Sequence, residues 1–223
     1  MNALVWGLAV LLIFTSEQKK EMPFPGTLLC LGDSYTIGES VAYGENFPNQ
    51  TVQLLRNSNY EFEDPEIVAK TGWTTDELQR AIDEHHFKLS YNFVTLLIGV
   101  NNQYRGRPIE NYRSEFENLL RHAIRFADGK ADHVIVLSIP DWGVTPFAKR
   151  SGRDLLWISE QIDSFNAINN NVARNYLVNY IDITPDTRAA AHDADLLAAD
   201  GLHPSGKEYA IWAGKIAAII KSV

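Results

Sequence analysis

With 223 residues, 45% of them hydrophobic, the chain can bury one substantial core and is short for two independent domains. Charged residues at 22% and aromatics at 11%, without internal repeats or low-complexity tracts, exclude a disordered or fibrous chain. A net charge of -8 argues against nucleic acid or an anionic membrane surface as partner, because both reward clustered Lys and Arg.

Ala3 to Phe14 is an almost unbroken apolar run, followed by polar residues through Lys20. Its length suits a signal-peptide hydrophobic region and is short for a bilayer span. Residues 1–22 are therefore read as a signal peptide or N-terminal anchor, the one route to membrane association, and the protein is expected to be exported: periplasmic, extracellular or N-terminally anchored. No Lys or Arg precedes the run and no small-x-small cleavage site follows it, so an apolar segment packed on the domain is the alternative. Residues 23–223 then form a single domain. Cys30, the single cysteine, lies in an apolar run and reads as a small core residue.

Thr27 to Leu31 is a continuous apolar run of the kind found in strands buried on both faces. A loop through Gly38, Gly44 and Pro48 leads to a helix over Gln50 to Arg56, and Ile67 to Ala69 makes a second strand stopping at Gly72. Thr74 to Glu77 fits a capping box, which predicts a helix from Thr75 to Ile82. Phe93 to Ile98 is a third strand, ending on Gly99. Ile109, Tyr112, Phe116, Leu119, Ala123 and Phe126 recur at spacings of three and four and mark one helical face. His133 to Ile139 is a fourth strand, closed by Pro140. A long helix follows from Leu155 to Tyr176, weakened by Asn166, Asn169, Asn170 and Asn171. Tyr180 to Ile183 is a fifth strand. Ser205 to Glu208 offers a second capping box, and Tyr209, Trp212, Ile216 and Ile219 form the inner face of a C-terminal helix.

Continuous apolar strands alternating with helices predict an α/β fold with a parallel sheet covered on both faces. Ligands of such sheets bind beyond the carboxyl ends of the strands. Gly32 to Tyr35, Thr71 and Gly72, Gly99 to Gln103, and Asp141 with Trp142 all follow strands directly, so they should meet at one edge.

Three features there carry chemistry. Ser34 sits at a strand-to-loop turn, where its hydroxyl is available as a nucleophile if a base activates it; by itself Gly-Asp-Ser reads more readily as a turn serine or helix N-cap than as an active site. Asp200-Gly201-Leu202-His203-Pro204 brings a carboxylate beside an imidazole within one turn of chain, which would fix the tautomer and leave the second ring nitrogen free to take a proton. Of the six histidines, His85 and His86 read as a solvated helix end, and His203 is the one whose carboxylate spacing has mechanical meaning. The backbone N–H groups of Ser34 and Gly72 and the Asn101 side-chain amide would suit an oxyanion formed by serine attack on an acyl carbon.

These four blocks, Gly32-Asp33-Ser34-Tyr35, Gly72, Gly99-Val100-Asn101-Asn102 and Asp200-Gly201-Leu202-His203, resemble in order those of the SGNH hydrolases, or GDSL-type esterases and lipases, over residues 28–220. The resemblance implies a flavodoxin-like three-layer α/β/α sandwich with a mainly parallel five-stranded sheet. It implies Ser34 as nucleophile, His203 as general base then acid, and Asp200 as its orienter, with Ser34, Gly72 and Asn101 forming the oxyanion hole. Asn102 departs from the pattern, standing where the family usually has Asp. Asn102, Gln103, Tyr104, Arg105 and Arg107, with Trp142 and Phe147, are candidates to line the substrate pocket, ordinary packing being the alternative for the aromatics.

Gly201-x4-Gly206-Lys207 imitates a phosphate-binding loop, but Glu208 replaces the required Ser or Thr and no buried strand precedes it. The expected partner is a small-molecule ester, such as an acetylated carbohydrate, a lysophospholipid or another small acyl ester, with no cofactor and no metal. The rival reading is a catalytically silent relative of the same fold that binds carbohydrate or protein.

Overall fold

The computed structural model describes residues 25–223. The segment read as a signal peptide or anchor lies outside the described residues. Among those described, no helix is long and apolar enough to cross a membrane.

Five strands are connected by helices in the order β1 (Leu28–Asp33), α1 (Ser34–Ile37), α2 (Phe47–Asn57), β2 (Glu66–Lys70), α3 (Thr75–Glu84), β3 (Phe93–Leu97), α4 (Val100–Tyr104), α5 (Ile109–Phe126), β4 (Val134–Leu137), α6 (Pro146–Ser151), α7 (Leu155–Asn175), β5 (Asn179–Ile181), α8 (Thr184–Ala189) and α9 (Gly206–Ser222). The sheet order is β2-β1-β3-β4-β5 and every pairing is parallel. Cys30 faces Ile67 on one side and Thr95 on the other, so β1 is interior. All residues of β1, β3 and β4 are buried, which is why they read as continuous apolar runs rather than alternating ones. Helices α2 and α9 pack together on one face, while α3, α5 and α7 lie side by side on the other. This is the flavodoxin-like α/β/α sandwich.

The long elements fall close to their predicted bounds, and the differences have local causes. Helix α2 begins at Phe47, three residues before the predicted start, because Asn46 caps it and Pro48 fits the first turn, where no N–H partner is needed. At α3 the backbone N–H of Thr74 donates to Glu77 as the capping pattern requires. The second predicted box forms only in half. Ser205 accepts from the Glu208 N–H, but the Glu208 carboxylate turns inward to take the Trp212 indole N–H and is buried, its pKa pushed up by desolvation to about 7. On α9 the buried face ends on Ile220, with Ile219 only partly covered.

Helix α7 carries its asparagines because two of them bond outward. Asn166 accepts from the Ile139 N–H and donates to the Ile139 carbonyl and the Thr184 hydroxyl, and Asn169 receives the Tyr112 hydroxyl at 2.8 Å. Buried hydrogen bonds of this kind offset a poor helix propensity.

Candidate active site

β1 runs to Asp33, two residues beyond the predicted end, and delivers Ser34 as the first residue of the single-turn helix α1. Asp33 has extended backbone and its Oδ1 accepts the Tyr35 N–H at 3.0 Å, so it is the N-cap. Gly32 is required by close approach: a Cβ there would stand 2.1 Å from Thr36 Oγ1 and 2.5 Å from the Leu97 carbonyl. The nucleophile turn is thus wedged against β3. As the first residue of a helix, Ser34 presents an N–H that no helical carbonyl takes.

The chain order reverses between β1 and β3, and the loops leaving these two strands carry Ser34 and Asn101. Asn101 Nδ2 is held 3.3 Å from Asp33 Oδ2 and 3.1 Å from the Trp73 carbonyl. The loop leaving β2 is a tight turn closed by the Trp73 N–H on the Lys70 carbonyl at 3.2 Å, with Gly72 at its third position and φ of 82°. That left-handed conformation favours glycine, and because Trp73 closes the turn, the Gly72 N–H is not consumed by it.

From the far end of the chain, Asp200 Oδ1 accepts the N–H groups of Leu202 and His203 at 2.9 and 3.0 Å, folding the loop tightly. Asp200 Oδ2 then lies 2.6 Å from His203 Nδ1. Ser40 donates to the same oxygen at 2.8 Å. Burial raises the Asp200 pKa, but these donors outweigh it and hold the carboxyl at about 2. The His203 ring is buried and packs on Tyr35, with centroids 4.9 Å apart. Among the described residues Ser34 Oγ has no hydrogen-bond partner.

Ser34, Gly72, Asn101 and His203 line one cleft of about 170 Å³. Tyr35, Thr71, Val100 and Leu202 complete its floor and rim, and Tyr104, Trp142 and Phe147 make an aromatic wall. Trp142 is fixed from two sides: its indole N–H donates to Gln103 Oε1 at 2.8 Å, and Asp141 before it pairs with Arg188 at 2.9 Å.

Four residues expected at the pocket do not line the cleft: Gln103 is taken up by the Trp142 indole N–H, and the other three are tied to α3. Asn102 is buried, accepting the Thr75 N–H at 3.1 Å and donating to the Thr75 hydroxyl at 2.7 Å, so it ties α4 to the start of α3. Arg107 pairs with Asp76 at 2.6 Å, drawn away by charge. Arg105 likewise pairs with Glu77 and donates to the Gly72 carbonyl, which braces the turn. Sequence position placed Asp33 and Tyr35 at this edge without giving either a role, and did not mark Ser40 at all. Asp33 carried the one usable signal, an N-cap residue directly before the serine.

Asp33 is fully buried, and desolvation pushes its pKa up to about 7 against the opposing hydrogen bonds from Tyr35 and Asn101.

Known proteins agree with this architecture. The structure is similar to a lipase/acylhydrolase from Enterococcus faecalis, with a TM-score of 0.68 and 18% identity over 88% of this chain and 96% of that one. It is also similar to an acetyl xylan esterase from Geobacillus stearothermophilus, with a TM-score of 0.65 and 17% identity over 89% and 97% of the two chains. The psychrotrophic esterase EstA from Pseudoalteromonas sp., solved inhibited by monoethylphosphonate, gives 0.63 and 17% over 88% and 97%. No curated protein matches in sequence. Residues 30–211 match the GDSL-like lipase/acylhydrolase family, most of the chain and every block around the cleft, and the protein belongs to that family of ester hydrolases.

Proposed function

We propose that the protein is a serine esterase that hydrolyses a small carboxylic ester through an acyl-enzyme. The observation that carries the proposal is the meeting of Ser34, the Asp200-bonded His203, Gly72 and Asn101 in one cleft, from four separate stretches of chain.

Asp200 fixes the proton on His203 Nδ1, leaving Nε2 as the base for the Ser34 hydroxyl. Ser34 Oγ attacks the ester carbonyl as Nε2 takes its proton, and the negative charge that develops on the carbonyl oxygen meets the N–H groups of Ser34 and Gly72 and the Asn101 amide, which exchanges its long 3.3 Å bond to Asp33 for the oxyanion. The tetrahedral intermediate collapses with transfer of the proton from His203 to the departing alkoxide. Water, deprotonated by the same imidazole, then releases the acid and frees Ser34. Asp200 remains ionised throughout, as its low pKa requires.

The test uses 4-nitrophenyl acetate turnover and labelling by a fluorophosphonate. Ser34→Ala should abolish labelling, and both Ser34→Ala and His203→Ala should lower kcat by several orders of magnitude with circular dichroism unchanged. A native protein that neither turns over the ester nor takes the label would overturn the reading.

A further inference from the structure

The cleft is not electrostatically uniform, although the chain as a whole carries a net charge of -8. On the Thr71 side, the Thr71 hydroxyl is bonded to the Glu39 carboxylate. On the opposite side, two arginines flank the aromatic wall. Arg153 stacks its guanidinium 4.5 Å from the Tyr104 ring centroid and 5.6 Å from that of Trp142, and donates to the Tyr104 carbonyl at 2.9 Å. Arg150, on α6, reaches only a carbonyl, that of Asp200, at 3.4 Å. Both are exposed, and among the described residues neither has a carboxylate within 4.0 Å. Arg105 and Arg107, nearby in sequence to Tyr104, are each neutralised by a carboxylate. An exposed guanidinium already stacked on rings is held in place, so it loses little freedom on meeting an anion.

Their position also has a direction. Helix α6 rests on the loop that carries His203, through the Phe147 N–H on the Gly201 carbonyl at 3.0 Å, and Arg150 Nη2 lies 3.7 Å from where a Cβ on Gly201 would stand. In the reaction proposed above, the imidazole protonates the leaving oxygen, so the alcohol fragment departs on this side. We infer that the enzyme selects esters whose alcohol fragment carries a negative charge, a carboxylate or phosphate, which Arg150 and Arg153 receive after that fragment passes over Tyr104 and Trp142. This rests on the esterase reading and adds the charge and placement of the substrate.

The experiment compares kcat/KM for 4-acetoxybenzoate with that for its neutral methyl ester, in the native protein and in the Arg150→Gln/Arg153→Gln and Arg150→Lys/Arg153→Lys double variants. A second anion, 4-acetoxyphenyl phosphate, separates carboxylate from phosphate preference. The ratio of anionic to neutral substrate cancels intrinsic reactivity between proteins. It should fall about five- to tenfold in the Gln variant, survive in the Lys variant, and decline with added salt in the native protein. A second pair, monoethyl succinate against ethyl butyrate, places the charge on the acyl side and should show no dependence on the arginines. Turnover of the neutral ester with a ratio unchanged by Arg→Gln overturns this inference alone, as does an arginine effect confined to the acyl-side pair. Absence of any turnover and of phosphonate labelling overturns the esterase reading instead.

Discussion

Two aspartates serve this cleft in opposite ways. Asp33, one residue before Ser34, is sealed in the core, bonded to the Tyr35 N–H and the Asn101 amide, and its pKa rises to about 7. Asp200 keeps about 30% of its side chain exposed, collects donors from Leu202, His203 and Ser40, and stays at about 2. The same functional group is thus a clamp that changes charge near neutrality in one place and a committed anion in the other. Donor number and burial, rather than residue type, decide the role.

The contrast can be broken most severely at Asp200. Asp200→Ala should reduce kcat for 4-nitrophenyl acetate by about 10³- to 10⁴-fold, since His203 loses both its tautomer and its orientation. Steady-state kinetics at saturating substrate checks this, and a loss below tenfold would remove Asp200 from the mechanism. Asn101→Ala comes next, with kcat down about 10²- to 10³-fold and KM nearly constant. An effect on KM alone would place Asn101 in ground-state binding.

Asp33→Asn tests the buried partner through stability rather than rate. Its folded pKa stands above the unfolded value, so between about pH 4 and 7 the folded chain binds the extra proton and stability falls as pH rises. Asp200 has the opposite sign: its pKa is depressed, so its contribution is present above about pH 4 and disappears as pH falls toward 2. Urea unfolding of Asp33→Asn against the native protein should therefore show a difference that moves in favour of the variant from pH 4 to pH 8, by on the order of a few kcal/mol. A pH-independent difference would mean that Asp33 is ionised in the core. The smallest effect is expected from Ser40→Ala. Asp200 keeps three other donors, so kcat/KM should fall less than about fivefold, and a larger fall would make Ser40 a principal support of the pair.

How much of this was legible depended on distance along the chain. The Asp200 to His203 contact spans three residues, and its turn is built from its own N–H groups, so the sequence spacing was enough to foresee it. The α3 cap is equally local. Ser40, by contrast, meets Asp200 across 160 residues from a loop with no periodicity. Asn102 and Arg107 sat in the right segment for a pocket, yet Thr75 and Asp76 claim them: the short helix α4 turns Asn102 toward α3, and Arg107, beyond its end, reaches Asp76 by charge, while Tyr104 lines the cleft. The short helices α1, α4, α6 and α8 leave no helical signal in the sequence, because four to six residues are too few to establish a period.

What the sequence determined by itself was the set of parts: buried strands recognisable from continuous apolar runs, a serine after the first, an amide after the third, and an Asp-His pair before the last helix. Local backbone chemistry dictates each, so each survives without knowledge of the rest. Only the tertiary structure decided which of the neighbouring polar groups point inward. Sheet order brings the loops after β1, β2 and β3 beside the His203 loop, and competition for buried hydrogen bonds then assigns every side chain to the cleft or to its scaffold.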